Sequence, residues 1–164
     1  MDAGKPGGLL LSNPDWLRAF RIYLAVIAVG NLTWEILQLP LYTIWMSGSR
    51  AEQAFAVVHC TGGDLLIALS SLIAALLLAG SAEWPRQAFG LVAALTIAFG
   101  LGYTGFSEWL NVSVRKTWAY SELMPVLPIA GGIGLSPLLQ WVVVPTLACW
   151  YVFRTQARGG VGST

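Results

Sequence analysis

Four stretches of this chain, about residues 22–39, 58–78, 88–109 and 137–153, are long and apolar enough to cross a bilayer. Hydrocarbon offers backbone N–H and C=O groups no partner, so a crossing segment must be helical or part of a closed barrel. Uninterrupted apolar runs, rather than alternating ones, select helices. The expected fold class is therefore all-α: a polytopic membrane protein, a bundle of four transmembrane helices with a re-entrant or interfacial loop before the last helix. Composition agrees, with 56% hydrophobic and 10% charged residues and a mean hydropathy of +0.67. A soluble domain usually carries about 25% charged residues. The 164 residues suit a single membrane domain, 1–164.

The punctuation between the spans is legible. Residues 1–15 read as a loose tail, and Trp16 to Arg21 as an interfacial lead-in. No signal-peptide core precedes the first span, which is expected to act as its own uncleaved insertion signal. Pro40 ends or kinks the first span, Pro137 opens the fourth, and Pro145 inside the fourth predicts a kink. Residues 123–135 are apolar but broken by Pro125, Pro128 and Gly131-Gly132. They are too short to span and need cover from protein. The wider segment 112–135 is expected to form a lid, and the tail from Arg154 to be polar and mobile.

Four spans put both termini on one side. That side collects Lys5, Arg18, Arg21, Arg86, Arg154 and Arg158, and the other Arg50, Arg115 and Lys116. The positive-inside rule then places both termini in the cytoplasm, and the expected location is a bacterial inner membrane. Trp16, Tyr23, Trp84, Trp150 and Tyr151 are expected to mark the inner interface, and Tyr42, Trp45, Trp109, Trp118 and Tyr120 the outer one.

On this map the intramembrane polar residues fall into one layer, in the outer half. Asn31, Glu35 and Gln38 lie at i, i+4 and i+7 on the first span. Thr104, Glu108 and Asn111 repeat that spacing on the third, and Glu35-Ile-Leu-Gln38 resembles Glu108-Trp-Leu-Asn111. The second span enters with His59-Cys60-Thr61-Gly62-Gly63-Asp64, where Cys60, Asp64 and Ser71 share a face. The fourth brings Gln140 one turn in. An ionised carboxylate at the bilayer centre costs at least about 2.5–3.5 kcal/mol, so these acids face the bundle and carry a partner or a proton.

Glu35, Asp64 and Glu108 are therefore the candidate catalytic groups. Asn31, Gln38, His59, Tyr103, Asn111, Arg115, Lys116, Tyr120 and Gln140 are candidate substrate-binding residues. Glu35 and Asp64 would form the floor of a pocket, and Glu108, Asn111, Tyr103 and Gln140 its wall. Trp34, Tyr103 and Trp141 are further aromatic candidates for its lining. Arg115 and Lys116 would hold an anionic headgroup. The structural alternative is that the three acids bond Asn31, Gln140 and Arg115 and fix helix packing, at about 0.6 kcal/mol per interhelical bond.

His59 lies about 140° around an ideal helix from Asp64, so the two are no same-face pair. No cofactor is expected. A divalent metal held by His59, Asp64, Glu35 and Glu108 is the alternative, with suitable ligand types and no motif spacing. Cys60 and Cys149 lie toward opposite sides, which argues against a dithiol site. Gly62-Gly63 is read as close helix approach rather than a phosphate loop. Asn111-Val-Ser113 matches a glycosylation sequon but sits too near the membrane to guide the reading. The layout resembles that of small four-helix membrane isomerases and hydratases with carboxylates in a lipid-facing pocket, and no motif residue carries over from them.

The expected function is acid–base chemistry on a lipid-like or amphipathic substrate by a small integral membrane enzyme. A small proton-coupled transporter and a non-catalytic subunit or assembly factor are the alternatives. Expected partners are membrane lipids, a lipid-like small molecule, and either a second copy or another membrane protein. A net charge of +1 without a basic tract excludes nucleic acid.

Overall fold

A computed structural model of the chain describes residues 14–80, 83–129 and 131–159. It is all-helical apart from one two-stranded hairpin. The order is α1 (Pro14–Gln38), a 3-10 turn (Leu39–Leu41), α2 (Ile44–Ser47), α3 (Arg50–Ala79), α4 (Phe89–Glu108), a π-helical turn (Trp109–Val114), β1 (Val126–Leu127), β2 (Ile133–Gly134) and α5 (Leu135–Gly159). Four of these helices are long and apolar enough to cross a membrane. The protein is an integral membrane four-helix bundle.

The helices form a ring in which α1 packs on α3 and α5, and α4 packs on α3 and α5. Each buries a stripe spaced three or four residues apart, the spacing that keeps side chains on one helix face. On α1 the stripe is Ala19, Tyr23, Ile27, Asn31, Glu35 and Gln38; on α4 it is Val92, Thr96, Gly100, Thr104 and Glu108. On α3 and α5, which run the opposite way, Asp64 and Gln140 come early, and Ala75 and Val152 late. All four stripes are thus apolar at one end of the bundle and polar at the other. We call the polar end the site end.

Two glycines allow close contact inside the ring. A Cβ on Gly100 would lie 2.1 Å from the Trp141 ring, and one on Gly30 would lie 2.7 Å from Val144. Gly62 and Gly63, read from sequence as the close-approach pair, have nothing within 4 Å of where a Cβ would stand. They correct that expectation, because the α3 face they occupy is not in helix contact. The expected aromatic belts also need correction. Tyr23 and Trp84 are 1% and 3% exposed and belong to the core at the apolar end. Their area is better buried there than at an interface.

Helix ends follow local chemistry. Pro40 falls in the 3-10 turn just after α1, which removes a helical donor where the chain must bend. α3 starts at Arg50, well before the expected 58, because Ser49 and Glu52 form a reciprocal capping box. Gln53 Nε2 then donates to Trp45 O at 3.0 Å and Gly48 O at 3.1 Å, docking α2 on α3. α5 begins at Leu135 and continues as helix through Gly159, so residues 154–159 are helical where a loose tail was expected, and the rest of that tail lies outside the described residues. There Arg154 stacks over Trp150 at 4.5 Å. The N-terminal tail, with Lys5, lies outside the described residues.

The connection between α4 and α5 is pinned to the bundle. Tyr42 and Tyr120 form an antiparallel bridge, with Thr43 N donating to Ala119 O at 3.0 Å and Ser121 N to Leu41 O at 2.9 Å. Farther on, β1 pairs with β2, and Gly131 and Gly132 take positive φ in the turn, which glycine adopts without strain. Leu123, Val126 and Ile129 remain exposed, as befits an interfacial segment.

Candidate functional site

Three of the polar stripes meet at Gln140. Its Nε2 lies 3.0 Å from Asn31 Oδ1, 3.1 Å from Glu35 Oε1 and 2.9 Å from Asp64 Oδ2. An amide group has two hydrogens, so three acceptors contest two protons. Gln38 Nε2 donates to Glu35 Oε1 at 2.8 Å and reaches Gln140 Oε1 at 3.2 Å. Ser136 Oγ donates to Gln38 Oε1 at 2.8 Å and accepts from Trp34 Nε1 at 3.2 Å. The network joins α1, α3 and α5, and its members apart from Trp34 are buried.

Glu35 Oε1 and Asp64 Oδ2 lie 3.1 and 2.9 Å from the one Gln140 Nε2, so this amide draws the two carboxyl groups together. The pair is held by the amides of Gln38 and Gln140, with no Lys or Arg ion pair at it among the described residues.

Glu108 stands in a second cluster, at the end of α4. Tyr120 OH donates to Glu108 Oε2 and accepts from Gly134 N at 2.8 Å. A single phenol therefore connects a helix carboxyl, the segment after α4 and the hairpin. Burial first, and the bond to Glu108 second, raise the Tyr120 phenol above its ordinary value. Just beyond Glu108 the winding loosens to a π-helical turn, a feature often found at functional sites. Asn111 lies in that turn. Its Nδ2 donates to Ser107 O at 2.9 Å, and its Oδ1 accepts from Thr117 Oγ1 at 3.0 Å.

Both clusters border a cleft of about 1420 Å³, lined by α1, α3, α4, α5, the α1–α2 connection and residues Thr117 to Ala119. Its walls are mostly apolar. Glu35, Gln38, His59, Asp64, Tyr103, Glu108, Asn111 and Gln140 line it. His59 and Tyr103 are exposed, and His59 stacks on Phe55 at 5.4 Å rather than turning to Asp64. Asn31 lies behind Gln140, and Tyr120 behind Glu108; neither is a lining residue. Arg115 and Lys116 are exposed and line no part of the cleft.

Sequence reading missed Ser136, Ser107 and the pairing of Tyr120 with Glu108. Ser136 had a signal, since it precedes Gln140 by one turn on the same face. The partner of Glu108 had none, because a loop fold places Tyr120. Among the described residues, no three His, Cys, Asp or Glu groups converge as a metal-ligand set. The two cysteines are free. Thr104 and Trp118, both lining the cleft, carry a buried hydroxyl and a buried indole N–H without hydrogen-bond partners. Comparisons with family models, curated proteins and solved structures return no match for this chain.

Proposed function

We propose that the protein is a small integral membrane enzyme that performs acid–base chemistry on a lipid-like or amphipathic substrate. The observation that carries this reading is the convergence of Glu35 and Asp64 on Gln140 at the wall of a wide, mostly apolar cleft. Two carboxyl groups this close can divide the work, one giving a proton and the other accepting one. Gln38 and Gln140 hold the pair in place, so proton transfer would need little rearrangement. Glu108, with Tyr120 behind it, supplies a second acid–base group on another wall. Apolar walls with a few convergent polar groups are the usual form of a small-molecule site.

A proton-coupled carrier would need a polar route to the opposite end. The core there is Ile27, Leu72, Ala75, Val92, Ala148 and Val152, with the hydroxyls of Tyr23 and Thr96 and no charged group among the described residues, which weighs against that alternative. The orientation proposed is the one charge bias favours, with the termini in the cytoplasm of a bacterial cell and the cleft toward the outer half of the inner membrane.

The test uses proteoliposomes incubated with a bacterial membrane lipid extract in deuterated water, followed by mass spectrometry. The wild-type protein is expected to deuterate or isomerise one lipid species. Glu35→Gln, Asp64→Asn and Glu108→Gln should each remain folded and lose most of that conversion. If the wild type converts nothing, or all three variants match it, the acid–base reading fails.

A further inference from the structure

The chemistry of the cleft wall restricts the head of the molecule it can take. Its ionisable lining groups include Glu35, Glu52, His59, Asp64 and Glu108, and no Lys or Arg is among them in the described residues. The basic side chains expected to hold an anionic head, Arg115 and Lys116, are exposed elsewhere. A phosphate or carboxylate entering here would face several carboxyl groups with no Lys or Arg to pair with, an arrangement that disfavours an anion. Carboxyl oxygens accept hydrogen bonds, so the head that fits must donate them. Thr104, only 6% exposed, adds a hydroxyl without a partner, and Trp118 an indole N–H without one, which a neutral hydroxyl or amine head meets by accepting. The remaining lining accommodates a tail. Beyond Asp64 the cleft continues along α3 past Leu66 and Leu69 to Ile73, about 14 Å at 1.5 Å per residue. At Gly63 the same wall has nothing within 4 Å of a Cβ position, so that glycine leaves room beside Asp64.

We propose that the ligand is a single-tailed amphiphile whose head donates hydrogen bonds and bears no negative charge, a long-chain alcohol or amine. The head lies between Asp64 and Glu108, and the tail runs along α3 toward Ile73. This assignment rests on the cleft being the substrate site proposed above, and its test does not depend on turnover.

The protein is embedded in nanodiscs of zwitterionic lipid and titrated with oleyl alcohol, oleylamine, oleic acid and oleyl phosphate, reading tryptophan quenching and native mass. The alcohol, the amine or both are expected to bind at least about tenfold more tightly than the two anions. Gly63→Leu, which adds bulk to the cleft without meeting protein at its Cβ, should weaken that binding about tenfold while leaving the helix intact. An amine preference lost in Asp64→Asn would assign the head to charge pairing, and an alcohol preference retained there to hydrogen bonding; both support the proposal. Anions binding as tightly with the same Gly63 dependence would overturn it. So would the absence of any Gly63-dependent binding. Alcohol or amine binding without deuterium exchange would uphold this assignment and remove the acid–base reading alone.

Discussion

Gln140 has fewer hydrogens than acceptors around it, and that shortage makes it the most consequential side chain in the bundle. Gln140→Ala would strip donors from Asn31, Glu35 and Asp64 together. A buried polar group left unsatisfied costs about 1–3 kcal/mol, and thermal unfolding in detergent should register at least one such loss. Gly100 presents a steric case. A methyl there meets Trp141, the neighbour of Gln140 on α5, so Gly100→Ala should destabilise the fold by about 1–3 kcal/mol and disturb the Gln140 contacts with the carboxyl pair. Gly63→Ala is the contrast, expected to be neutral or stabilising because its Cβ meets nothing and alanine favours helix. Unfolding of the two variants side by side checks the pair. Residue spacing made Asn31, Glu35 and Gln38 legible as one face, because helical periodicity is a property of sequence. Which glycines mark close contact was not legible, because that depends on what the facing helix brings.

At the level of elements, the segment after α4 acts as a strap across the site end, and Tyr120 is its fastener. Tyr120→Phe removes the donor to Glu108 and the acceptor for Gly134 N while keeping the ring. Amide exchange across residues 117–134 should quicken, with α3 and α4 unchanged. The phenol also sets a pH limit. A raised folded value means the native state keeps its proton above the ordinary value of about 10, so the stability it contributes is intact below that pH and lost as the pH climbs past it. Spectroscopic titration should show the buried tyrosines ionising later than the exposed ones, and Tyr120→Phe should remove one equivalent from that late step. The start of α3 offers a simpler test. Ser49→Ala should cost about 1 kcal/mol and fray the turn carrying Ala51 and Glu52 at the cleft edge, visible as faster exchange there. The span boundaries near Pro40 and Trp109 were readable from hydropathy and proline. The start of α3 was missed because its first two turns are polar enough to leave the apolar window, and a cap rather than hydropathy defines it.

For the molecule as a whole, the ring of four helices is polarised, one half dry and the other built around acids. The proposed orientation predicts that a reporter fused after Thr164 is active in the cytoplasm, and that a cysteine at Ser49 is labelled only from the other side. Both observations reversed would turn the cleft toward the cytoplasm. The bundle and the gathering of its polar side chains toward one end could be read from the chain, since solvation dictates them. The extension of the cleft along α3 to Ile73 could not, because it depends on which side chains the facing elements bring. The Gln140 network also has a consequence for how the chain is made. Glu35 and Asp64 are synthesised and inserted well before α5, which carries Ser136, Gln140 and Trp141. Until α5 is inserted, Asp64 lacks Gln140 and Glu35 keeps only Gln38. Helix α5 thus closes the bundle, and a chain interrupted before it would expose its unmatched acids to the machinery that inserts and discards membrane proteins.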